Sequence, residues 1–161
     1  MSPSMSQMNT FLLLLALVLS LGTAHGQPTR ILTGRLLDDR LEVVPRANIY
    51  ARDTILIGTT DLEGYFKLDV PVTTTTLHFT AIGYEVTTLK LSRECVNLEV
   101  LLLLASTHDF MSVRRVNRQE FKRFKHLPQL YQQAYEKGLF KSRAPCASPF
   151  FTNWVPRPAN R

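Results

Sequence analysis

The sequence predicts a mainly β protein: a seven-stranded antiparallel β-sandwich followed by a short, partly helical, basic C-terminal extension. Three observations predict it. Short runs alternate apolar and polar residues with a period of two, as strands with one buried face do. Turn-forming residues break these runs every ~8–12 residues. No helical period occurs between these runs in residues 30–104.

Residues 30–37 (RILTGRLL) open the series, with Gly34 inside the strand, where a glycine marks a bulge or a close backbone approach. Asp38, Asp39 and Arg40 form a turn. Pro45 leads into a second strand in which Ala47, Ile49 and Ala51 face one way and Asn48 and Tyr50 the other. Arg52 and Asp53 turn the chain into Ile55, Leu56 and Ile57. The central stretch, residues 58–84 (GTTDLEGYFKLDVPVTTTTLHFTAIGY), organises the rest. Its turn needs Asp61, whose carboxylate can accept from the backbone two residues on, and Gly64, which tolerates positive φ. Phe66, Leu68 and Val70 then share the inner face, opposite Tyr65, Lys67 and Asp69. Pro71 ends the ladder because it has no N–H. Leu77, Phe79 and Ala81 repeat the pattern. Residues 85–91 (EVTTLKL) and 96–104 (VNLEVLLLL) close the series, with Leu98, Val100, Leu102 and Leu104 on one face.

Taken in order, GRLLDD, VPRANIYA, GTTDLEGYFKLDVP and LHFTAIGY resemble the carboxypeptidase-regulatory-like domain. The combination of Gly34, Pro45, Ala47, Asn48, Thr60, Asp61, Gly64, Phe66, Ile82, Gly83 and Tyr84 carries the resemblance, over residues 30–104. It implies a small transthyretin-like (prealbumin-like) sandwich. Such domains occur in exported proteins of Bacteroidota-type bacteria and at the N-termini of TonB-dependent receptors. The resemblance also implies no catalytic centre within the domain. A receptor barrel needs many alternating segments of about 10 residues, and only 57 residues follow Leu104.

Outside this region the chain changes character. Residues 11–21 (FLLLLALVLSL) are continuously apolar but fall short of the ~20 needed to span a bilayer. Ala24 and Gly26 follow as small residues, so residues 1–26 read as a cleaved export signal ending before Gln27. No Lys or Arg precedes the run, and an uncleaved anchor or a buried helix is the alternative. No Cys follows the run, which argues against a lipid anchor. Residues 27–104, the expected sandwich, carry eight Lys and Arg against ten Asp and Glu, a net of −2. Residues 105–161 carry eleven against three, a net of +8. In that extension Asn117 and Glu120 form a capping-box pair before a short helix over 118–126. Pro128 starts a second helix as its first residue, and Lys137-Gly138 stops it. Phe121, Phe124, Tyr131 and Tyr135 are then its docking side chains.

The sequence holds no catalytic, cofactor-binding or metal-ligating pattern. His78, His108 and His126 are far apart and lie in no HExxH or HxxE arrangement. Asp61 to Gly64 lacks the ligand count of a calcium loop. No GxSxG and no phosphate loop is present. Two cysteines remain, Cys95 and Cys146. In an exporting compartment they form a disulfide worth about 4 kcal/mol by loop-closure entropy, or stay as two thiols with Cys95 buried. The functional expectation is a non-enzymatic module for binding or assembly at the cell envelope, in the periplasm or on the periplasmic face of the outer membrane. The alternative is an accessory subunit of an envelope peptidase or a TonB-dependent transport system. The expected partner is an envelope protein rather than nucleic acid. Residues 105–161 are either a contact for an anionic membrane surface or a packing extension of the sandwich.

Overall fold

The computed structural model describes residues 27–52 and 54–151. The expected export signal, residues 1–26, lies outside them, as do Asp53 and residues 152–161. The elements in order are β1 (Thr29–Asp38), β2 (Asn48–Ala51), β3 (Ile55–Thr59), β4 (Tyr65–Pro71), β5 (Thr76–Thr80), β6 (Thr87–Lys90), β7 (Asn97–Leu102), helix α1 (Val113–Glu136) and a two-residue strand, β8 (Ser148–Pro149). One sheet has the order β4-β1-β7 and the other β3-β2-β5-β6-β8.

The alternating residues fill the space between the sheets. Leu32 and Leu36 of β1, Phe66, Leu68 and Val70 of β4, and Leu98, Val100 and Leu102 of β7 meet Ile49, Leu77, Phe79 and Leu89 of the second sheet in one core. Phe66 and Phe79 join the sheets ring to ring, with centroids 5.4 Å apart. Gly34 sits in the tightest place. A Cβ there would lie 2.1 Å from the Leu98 carbonyl oxygen and 2.5 Å from the Phe66 ring, so the approach of three strands demands a residue without one.

One pairing departs from the antiparallel expectation: β1 and β7 run parallel, with Gly34 opposite Leu98 and Leu36 opposite Val100. The connection explains it. β6 belongs to the opposite sheet, so the chain crosses over before β7, and no hairpin dictates the direction in which β7 enters. β4 already occupies the other side of β1, antiparallel.

The C-terminal third also differs from expectation. Two short helices were predicted from Asn117 and Pro128; one 24-residue helix runs through both positions, with Ser112 as its N-cap and Pro128 inside it. An interior proline usually costs about 3 kcal/mol. Here a continuous buried stripe of Val116, Glu120, Leu127, Tyr131 and Ala134 holds the helix together on both sides of it. The stripe packs on the outer face of the β1–β7 pair, while the outward residues of β4 stay exposed. Leu37 and Leu101, both pointing away from the sandwich interior, form a second core with Leu127, Tyr131, Ala134 and Phe140. The Tyr131 hydroxyl donates to the Glu99 carbonyl at 3.2 Å, and burial pushes its phenol pKa upward. Gly138, at φ +70°, ends the helix. Its N–H donates to Tyr135 and that of Leu139 to Ala134, the paired bonds of a Schellman stop.

After the helix the chain returns to the second sheet. Cys146 bonds to the fully buried Cys95, with Cα atoms 5.7 Å apart and a sequence separation of 51. Ala147 enters the inner core, and β8 pairs with the end of β6, Lys90 opposite Ser148.

Candidate functional site

The structural signature residues of the sequence build turns and joints rather than a reaction centre. Asp61 Oδ1 accepts from the N–H of Glu63 at 3.0 Å and of Tyr65 at 2.7 Å, which closes the β3–β4 turn. Gly64 takes φ +78°, and a Cβ there would meet the Leu36 carbonyl oxygen at 2.6 Å. Thr60 is buried. Its hydroxyl accepts from Ala47 and donates to the Val44 carbonyl, anchoring the approach to Asn48 at the start of β2. Gly83, at φ +85°, lets the backbone turn into Tyr84. The Tyr84 hydroxyl reaches Asp38 Oδ2 at 3.4 Å, and partial burial, with Asp38 beside it, raises its pKa. Asp38 in turn caps the β1 turn through Oδ1, which accepts from Arg40 and Glu42.

A polar cluster that the sequence reading missed joins helix to sheet. Ser106 Oγ donates to Glu120 Oε1 at 2.7 Å, and Arg123 bonds Glu120 Oε2 at 3.0 Å and Asp39 Oδ2 at 3.2 Å. Arg123 also donates to the Leu104 carbonyl. His108 Nε2 lies 3.4 Å from Ser106 Oγ and 3.6 Å from Glu120 Oε1. Serine, histidine and carboxylate are thus together, but not as a nucleophile is activated. In a triad the imidazole stands between serine and acid, using both of its nitrogens. Here serine and glutamate contact the same nitrogen, the serine is bonded directly to the glutamate, and the guanidinium neutralises that glutamate. The cluster pairs the polar groups of Ser106, Glu120 and Arg123 where α1 crosses the sheet. Among the described residues no group of His, Cys, Asp and Glu is placed to hold a metal ion, and no helix is long and apolar enough to cross a membrane.

Two surfaces remain that could engage other molecules. The first is an open sheet edge. Four strands end the two sheets, and three are guarded. β4 alternates Tyr65, Lys67 and Asp69 outward, and charge on an edge discourages strand addition. β7 is bonded from the side: Thr87 Oγ1 donates to the Leu101 carbonyl and the Glu85 N–H to that of Leu103. β8 is two residues long. β3 carries neither charge nor proline, and Ile55 and Leu56 are each 54% exposed on it.

The second surface is the solvent side of α1 with the loop before it. Arg114, Arg115, Arg118 and Lys122 are all exposed. Arg115, Arg118, Gln119 and Lys122 line a shallow depression of about 270 Å³. Like charges at helical spacing repel, and cations at a helix N-terminus oppose its dipole. The turn leading in is also unfavourable. The Met111 N–H donates to the His108 carbonyl, and Phe110, inside that turn, has φ +60° with its side chain fully exposed. A bulky residue in that region costs about 1–3 kcal/mol. Of the two phenylalanines expected to dock the helix, Phe124 is half-buried against the second core, while Phe121 is exposed; both pack with Phe151, at centroid distances of 5.6 and 5.2 Å, beside an apolar trough of about 510 Å³ between α1 and residues 143–149. Tyr131 does dock; Tyr135 stays exposed under Arg143.

No curated protein matches the chain closely enough to count as a relative. Among solved structures, a chain in a cryo-EM structure of an E. coli P pilus tip assembly intermediate, PapC-PapD-PapK-PapG, is similar at 13% identity and a TM-score of 0.39. The alignment covers 53% of this chain and 11% of that one. Residues 32–113, half of the chain, match the CarboxypepD_reg-like domain, a regulatory, non-catalytic type of module. The match runs from within β1 through β7 and leaves out the start of β1, most of α1 and β8, and the chain belongs to the CarboxypepD_reg-like domain family.

Proposed function

We propose that this protein is an exported, non-catalytic β-sandwich module that binds a partner protein at the cell envelope by adding a strand to the open edge of β3. The single observation that carries this reading is the contrast among the sheet edges. Three are blocked by charge, by lateral hydrogen bonds or by shortness, while β3 presents Ile55 and Leu56 to solvent. Natural sheets protect such edges unless something pairs with them. Export is supported by the short apolar run in residues 11–21 and by the Cys95–Cys146 bond, which persists in oxidising compartments. A periplasmic site, or the periplasmic face of the outer membrane, fits both. A partner that is a peptidase or a TonB-dependent transporter would make the module its accessory subunit.

The test is affinity capture from the native envelope with wild-type protein and with Ile55→Lys, Leu56→Lys. Both changes are at exposed positions and are expected to stay within about 0.5 kcal/mol of wild-type stability. The proposal expects a protein that co-purifies with wild type and is lost with the double variant, from a chain whose intact mass begins at or near Gln27. Equal capture by both proteins, or a mass retaining residues 1–26, overturns the corresponding half of the reading.

A further inference from the structure

We propose that the solvent face of α1, with Phe110 as an apolar wedge, docks on the surface of an anionic lipid bilayer. This rests on observations independent of the β3 edge. Three features of the region each work against local stability. Arg114, Arg115 and Arg118 occupy the first turns of a helix that has no acidic residue in its first turn, where its dipole favours anions. Arg115, Arg118 and Lys122 stand three and four residues apart and repel one another along one stripe. None of these four cations forms a salt bridge among the described residues. Phe110 adopts positive φ and buries none of its side chain.

An anionic bilayer accounts for all three together. Its phosphates neutralise the cations and fit the depression lined by Arg115, Arg118 and Lys122. Its interfacial region takes up an aromatic ring that water does not. The other face of α1 is committed to Leu37 and Leu101, so the helix lies on the membrane as the outer layer of a folded body rather than sinking its own apolar stripe into lipid. The charge distribution points the same way: the net of +8 lies in residues 105–161, while residues 27–104 carry a net of −2. A nucleic acid or an acidic protein would also use the cations, and binding to vesicles that depends on phosphatidylglycerol distinguishes the bilayer from either.

Vesicle co-sedimentation with the chain from Gln27 onward, which contains every described element, tests the proposal. Phosphatidylcholine vesicles are compared with vesicles that also contain phosphatidylglycerol, at low and high salt. Wild type should sediment with the anionic vesicles at low salt and be released at high salt. Arg115→Glu, Arg118→Glu, Lys122→Glu should weaken retention at least about a hundredfold, since each cation near such a surface contributes roughly a factor of five. Phe110→Gly is the discriminating variant. It relieves the positive φ, so its melting temperature should equal or exceed that of wild type, yet its retention should fall several-fold. Equal sedimentation with neutral vesicles, full retention of the charge-reversed variant, or unchanged retention of Phe110→Gly would each overturn the proposal; the last would leave a general polyanion site in its place.

Discussion

The two hydrophobic cores are made of the same residue types and differ in what closes them. The inner core lies between two sheets and draws on seven strands. The outer core lies between one sheet and one helix and draws on Leu37 and Leu101 from β1 and β7. The inner core is specified by local alternation, each strand declaring its own buried side. The outer core exists only because a helix about 100 residues after Leu37 returns to the sheet. A strand can therefore belong to two cores at once. β7 does so, with Leu98, Val100 and Leu102 inward and Leu101 outward.

If the outer core equals the inner one in status, truncating an aromatic in either should be comparably expensive. Phe66→Ala and Tyr131→Ala are each expected to lose about 3–5 kcal/mol in denaturant unfolding. A loss below about 1 kcal/mol for Tyr131→Ala alone would reduce the helix to a loosely held cover. The disulfide sharpens the same contrast, because Cys95 belongs to the inner core and Cys146 to the returning chain. Replacing both cysteines by serine should lower stability by roughly 2–4 kcal/mol. The loss should show first as faster hydrogen exchange at residues 143–150, with little change in β1, β4 and β7.

A smaller effect separates the cores by pH. Burial raises the Tyr131 pKa, so the phenol stays protonated in the folded protein where the unfolded chain, at about 10, begins to ionise. That stabilisation is present in full below pH ~10 and is lost as pH climbs toward the folded-state value. Stability should fall on the alkaline side, and Tyr131→Phe should flatten the fall, after its own loss of about 1 kcal/mol for the bond to Glu99. An alkaline limb of equal slope in the variant would place the titration elsewhere, with Tyr84 the next candidate.

Much of this was legible in the chain. Asp61, Gly64 and the Phe66–Leu68–Val70 face could be read because turn chemistry and strand alternation act over a few residues. Gly34 marked a close approach, though not its partner, Leu98. In residues 96–104 the alternation of Leu98, Val100 and Leu102 identifies the inner face, but the unbroken apolar run around Leu101 was also the sign of a strand buried on both sides. Glu120 was assigned a capping role at Asn117; it lies inside a longer helix and bonds Ser106 and Arg123, partners that no spacing rule connects. Pro128 read as a helix start because local propensity weighs an interior proline heavily, whereas packing on both sides of it outweighs that cost. Phe110 gave no signal, since the position it fills in the turn ordinarily selects glycine.

The central claim is that α1 is a layer of the fold on its inner face and a binding surface only on its outer face. Denaturant unfolding of residues 27–104 against residues 27–161 tests the first half most directly. Without the helix, Leu37 and Leu101 lose their cover, at about 1.5–3 kcal/mol each, and the Cys95–Cys146 bond is gone, a further ~2–4 kcal/mol. Together these approach the whole stability of a small domain. The fragment should therefore show no cooperative transition, while the longer chain unfolds in one step. A fragment that melts cooperatively, within about 1 kcal/mol of the longer chain, would contradict the account and leave the sandwich complete without its helix.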